Sequence, residues 1–94
     1  MPVVHLVDAE QLVLARLREY EQSAGMPLAI RQGDTREYKD GWLFFYNTED
    51  FHKTGNLSSR LVGNGPLFVK RTGEIIELAT HQPVEDSLHQ LGVE

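Results

Sequence analysis

Between Gly41 and Asn47 the chain reads Gly-Trp-Leu-Phe-Phe-Tyr-Asn, and no other stretch restricts its fold as much. Aromatic rings at Trp42, Phe44, Phe45 and Tyr46 crowd around Leu43, and the run stops at polar Asn47-Thr48-Glu49-Asp50. Aromatic residues suit a pleated, half-buried surface, and a strand sends successive side chains to opposite faces. Trp42, Phe44 and Tyr46 therefore share one face, and Leu43 and Phe45 the other. Both faces are apolar, so this strand needs cover on two sides. The 94 residues available to supply it suffice for one domain spanning residues 1–94. A chain of this size buries roughly two-thirds of its unfolded surface, enough for a single core.

The flanking pattern supplies the covers. Ala9, Leu12, Val13, Arg16 (through its stem), Leu17 and Tyr20 recur at helical spacing. They predict a helix from about Asp8 to Gln22, with Asp8 as N-cap and Gln11 completing a capping box, and Gly25 and Pro27 ending it. Leu28–Ile30 and Thr35–Lys39 read as one strand with a glycine bulge or as two short strands, leading through the Asp40-Gly41 turn into Trp42–Asn47. Thr48 to Thr54 reads as one helical turn capped by Thr48 or Asn47, and residues 55–64 as a loop. The stretch Lys53–Leu61, with Leu57 and Leu61 among polar residues, reads as a loop that those two leucines anchor to the core or, alternatively, as an exposed recognition loop. Leu67–Lys70 and Glu74–Leu78 form a second hairpin around Arg71-Thr72-Gly73. Pro83, Glu85 and Asp86 open a closing helix to about Leu91, with Val84, Leu88 and Leu91 on one side. The expected fold is α+β: an antiparallel sheet of about four strands, the long N-terminal helix on one face, and the C-terminal helix or another chain on the other.

Composition narrows the function classes. The absence of cysteine removes disulfides, thiolate metal clusters and cysteine nucleophiles. A net charge of −5, with no basic cluster larger than Lys70-Arg71, argues against binding nucleic acid through its phosphates. No apolar run approaches the roughly 20 residues of a membrane span, and the opening residues lack the basic region and length of a secretory signal. The expectation is a soluble cytoplasmic protein.

Residues capable of chemistry are scattered. The four histidines, His5, His52, His81 and His89, include no i, i+4 pair, so a zinc site with Asp50 or Glu85 is weakly supported and surface histidines are the better reading. Gly63-Asn64-Gly65-Pro66 lacks the Lys-Ser/Thr of a phosphate loop and enters a strand rather than a helix. It reads as a tight turn. The doublets Glu49-Asp50 and Glu85-Asp86 point roughly 100° apart on a helix, and they suit helix N-termini better than an acid–base dyad. Ser58, Ser59 and Ser87 have no nucleophile-elbow setting. Neither a catalytic residue nor a cofactor is expected.

Taken together, Gly41–Thr48, Thr54-Gly55-Asn56, Gly63–Val69, Thr72-Gly73-Glu74-Ile75 and Pro83-Val84-Glu85 resemble the YrhB-like family, also known as immunity protein 35. The resemblance covers Trp42 to Leu91 well and the N-terminal helix in character only. It implies a small bacterial protein that binds a cognate polymorphic toxin and blocks it without catalysis. Partner contacts are expected from Asn47, Glu49, Asp50, His52, Asn56, Arg60 and Asn64, with Glu49, Asp50 and Asp86 facing a basic toxin domain, on a monomer or homodimer. The alternative is a chaperone-like or self-associating scaffold that uses an exposed apolar sheet face.

Overall fold

The structure is a computed structural model that describes residues 5–60, 65–78, 80 and 82–92. Helix α1 (Leu6–Ala24) is followed by strands β1 (Leu28–Ile30), β2 (Arg36–Tyr38), β3 (Gly41–Phe44) and β4 (Tyr46–Thr48). Helix α2 (Glu49–Thr54) and a 3-10 turn (Leu57–Ser59) come next, then β5 (Leu67–Lys70), β6 (Ile75–Glu77) and helix α3 (Val84–Gln90). The α+β class is as expected, with its strands divided between two antiparallel sheets. One is four-stranded in the order β2-β3-β5-β6, and the other is the pair β1-β4.

The aromatic strand belongs to both sheets. Residues 41–44 lie between β2 and β5, with Trp42 opposite Glu37 and Val69. Residues 46–48 pair with β1, with Ile30 opposite Tyr46 and Leu28 opposite Thr48. Phe45 sits at the seam, where its carbonyl accepts the Arg31 amide at 2.8 Å. The chain leaves β1 at Arg31, loops out over residues 31–35 and returns as β2. Of the two readings open from sequence, two short strands is the observed one.

Side-chain alternation runs through the seam unbroken. Trp42, Phe44 and Tyr46 join Leu67, Val69, Leu28 and Ile30 against Ala9, Val13 and Leu17 of α1. On the reverse face Leu43 and Phe68 meet Leu78 and Leu88, with Phe45, Tyr38, Ile76 and Val84 packed around them. The second cover is therefore α3 of the same chain. At Gly41 the space for a side chain is taken by backbone: a Cβ there would lie 2.1 Å from the Val69 carbonyl oxygen. Gly65 is confined in the same way, with the Leu78 carbonyl oxygen 1.9 Å from where its Cβ would be.

The start of the first helix departs from expectation. Helix α1 begins at Leu6, with His5 at the N-cap position and no side-chain cap. The His5 carbonyl accepts the amides of Asp8 and Ala9 at 3.1 and 3.3 Å. Asp8 is thus inside the first turn, where its charge favours the helix N-terminus, and the capping box with Gln11 does not form. At the other end the Glu21 carboxylate accepts the Leu28 amide at 2.7 Å and fixes the passage into β1. In α3, Leu88 is buried but Leu91 is 37 % exposed.

Polar side chains clamp the layers. Arg71, in the turn between β5 and β6, donates from Nε to the Lys39 carbonyl at 2.7 Å and from Nη2 to the Tyr38 carbonyl at 3.0 Å. The same Nη2 pairs with Glu37 at 3.1 Å, and the guanidinium lies 4.4 Å from the centre of the Trp42 ring. Across the molecule the Tyr20 hydroxyl donates to Glu77 on β6, beside Arg16, whose Nη1 is 3.7 Å from the same carboxylate. Burial, with the Glu77 carboxylate next to it, pushes the Tyr20 phenol up to about 12.

Two outcomes are expected. Trp42 is 2 % exposed, so Trp42→Ala should lower stability by about 3–5 kcal/mol, measured by urea unfolding. Tyr20 has a raised folded pKa, so its contribution is complete below pH 10, where an unfolded tyrosine begins to ionise, and is lost as pH rises towards 12. The stability difference between wild type and Tyr20→Phe, followed by urea unfolding against pH, should therefore narrow across that interval.

Candidate functional site

Thr48 ends β4 and begins α2, and its side chain organises the segment from Glu49 to Arg60. It is fully buried. Its Oγ1 accepts the Phe51 amide at 3.1 Å and donates to the Ser59 carbonyl at 2.7 Å. Of the two caps open from sequence, Thr48 is the observed one. One residue on, the Glu49 amide donates to the Pro27 carbonyl at 2.9 Å and ties the helix start to the entry of β1.

A chain of local hydrogen bonds continues through the segment. Thr54 Oγ1 donates to the Asp50 carbonyl at 2.9 Å and accepts the Asn56 amide at 3.1 Å. Asn56 Oδ1 accepts the Ser58 amide at 3.1 Å and the Ser58 hydroxyl at 2.8 Å. Ser59 Oγ donates to Asp50 Oδ2, and the Arg60 amide donates to the Leu57 carbonyl at 3.2 Å. Asx and Ser/Thr side chains favour such turns because they replace backbone partners.

Of the residues expected to contact a partner, Glu49, Asp50, His52, Asn56 and Arg60 come together on α2 and the turn after it, and all five are exposed. Their charges are partly engaged already. Glu49 pairs with Lys53 at 3.2 Å, Asp50 receives the Ser59 hydroxyl, and Arg60 lies 5.8 Å over the Phe51 ring. His52 Nε2 is 3.0 Å from the Ala29 carbonyl of β1, which makes it a donor there. Asn47 is different. Expected to project from the strand end, it is 8 % exposed, and its Oδ1 accepts the Thr48 amide at 2.8 Å. Its place in the β1-β4 ladder turns it inward. Asn64, with Gly63, lies outside the described residues.

Of the two readings of the loop, Leu57 does not follow the anchored one: it is 74 % exposed. The hydrogen bonds of Thr48, Asn56 and Ser59 hold the turn without it. Leu61 lies outside the described residues.

The residues considered for chemistry have structural tasks. Ser87 accepts the Gln82 side-chain amide at 2.9 Å, and Glu85 faces Arg36 at 3.7 Å. Among the described residues no group of three or more His, Asp or Glu side chains is placed to hold a metal ion; His81 lies outside them. No described helix is long and apolar enough to cross a membrane.

Comparison with known proteins agrees with the resemblance and extends it. Residues 8–90 match the family described as Immunity protein 35, so the likeness takes in α1 as well as the region from Trp42 onward. The chain is 33% identical over 75 residues to "Uncharacterized protein YrhB" of Escherichia coli (strain K12), an alignment covering 79% of this chain and 78% of that protein. No solved structure matches it significantly. The chain belongs to the immunity protein 35 family.

Proposed function

We propose that this protein neutralises a polymorphic toxin by binding its toxic domain stoichiometrically in the bacterial cytoplasm, and that it carries out no chemistry of its own. The family match over residues 8–90 supports this reading most strongly. The geometry of α2 and the turn after it agrees with it. Polar side chains there hydrogen-bond one another and the backbone, as a supported recognition surface requires. A specific interface of roughly 800 Å² per partner fits on this face, centred on Glu49, Asp50, His52, Asn56 and Arg60. The net charge of −5 favours approach to a basic domain and acts mainly on the association rate. The scaffold alternative needs the second sheet face open, and Leu88 and Val84 of α3 cover it.

Two experiments test the proposal. Titrating a toxic domain found in the gene's neighbourhood, or by pull-down from the host, should abolish its activity at one equivalent, through a one-to-one complex whose association slows as salt rises. Toxin activity that persists in excess protein would overturn the reading. Thr48→Ala removes no exposed group but releases both the Phe51 amide and the Ser59 carbonyl. It should cost about 1–2 kcal/mol in urea unfolding, and it should weaken the complex by calorimetry because the recognition segment loses its support.

A further inference from the structure

We infer that Leu57 is the anchor of this interface and seats in an apolar pocket of the toxic domain whose rim carries a carboxylate for Arg60. The inference rests on the toxin-binding reading above. Among the described residues Leu57 is the most exposed of the large apolar side chains, at 74 %, against 43 % for Leu6, 59 % for Val7 and 37 % for Leu91. Those three lie at the beginning of α1 and the end of α3. Leu57 sits at the start of a turn held from both sides, by the Asn56 side chain at its entry and by Thr48 and Asp50 on Ser59 at its exit. A leucine on such a support gives up little conformational freedom on binding, which is how a preorganised contact gains affinity. Apolar anchors of this kind carry a large share of binding energy when a partner pocket desolvates them.

Local charge sets the character of the pocket. Residues 47–60 contain two acids, Glu49 and Asp50, and two bases, Lys53 and Arg60. Glu49 neutralises Lys53 at 3.2 Å, and Asp50 receives the Ser59 hydroxyl. Arg60 has no carboxylate partner among the described residues and lies on Phe51 with its guanidinium exposed. Its backbone amide bonds the Leu57 carbonyl, so the two residues belong to one turn. The two ranges of electrostatics are separable. Beyond the Debye length of about 8 Å the acidic excess acts only through the field that salt leaves unscreened, whereas at contact the complement of Leu57 and Arg60 is an apolar hole edged by negative charge.

The test uses the full-length protein and the toxic domain identified for the titration above, with affinity by calorimetry and folding by thermal melts. Leu57→Ala should weaken binding by at least about 30-fold, and Arg60→Glu should weaken it more than Arg60→Ala. Val7→Ala should stay within about twofold, and all four variants should melt within about 2 °C of wild type, since exposed positions have small effects on stability. If wild type binds but Leu57→Ala binds equally well, or Arg60→Glu binds more tightly, the anchor is wrong and toxin binding stands. If wild type neither binds nor protects, both readings fail.

Discussion

Burial of one aromatic ribbon from both sides is the constraint on which the rest of the structure depends. Trp42 and Phe44 face α1 while Leu43 faces α3, and all three are at most 2 % exposed. An aromatic side chain buries 150–250 Å², so neither face could be left to solvent. That requirement explains why α1 and α3, from opposite ends of the sequence, lie on opposite sides of the same strand. It also explains Gly41. The ribbon must approach β5 so closely that backbone fills the space a side chain would occupy.

The parts of this arrangement that arise from periodicity were legible in the sequence. The α1 stripe, the alternation of Trp42–Tyr46, the β5-β6 hairpin around Gly73 and the start of α3 at Pro83 all come from spacings of 3.6 or 2 and from turn chemistry. The division of the ribbon at Phe45 was not. It depends on which partner strand reaches that point, a tertiary matter that alternation does not encode, because the side chains keep alternating across the break. The start of α1 was missed for a related reason. Asp8 has the right chemistry for a cap, yet its neighbours Leu6 and Val7 were free to extend the helix back to His5.

At the site, residue types were easier to read than their orientation. The segment from Asn47 to Arg60 looked polar, and its polar groups do lie together, but Asn47 turned inward and Leu57 outward. Asn47 fell on a ladder position opposite Ala29 and was drawn in. Leu57 fell on a turn whose stability comes from Asn56, Ser59 and Thr48, and was left out. Hydrophobicity alone assigns leucine to the interior. Here the hydrogen bonds of its neighbours decide otherwise.

The seam at Phe45 has a mechanical consequence. Because residues 41–48 run without interruption from the centre of the larger sheet into the cap of α2, the platform that carries Leu57 and Arg60 is an extension of the core rather than an appendage to it. Thr48, which ends that run, is fully buried and holds both the Phe51 amide and the Ser59 carbonyl, so the turn hangs from a fixed point of the sheet.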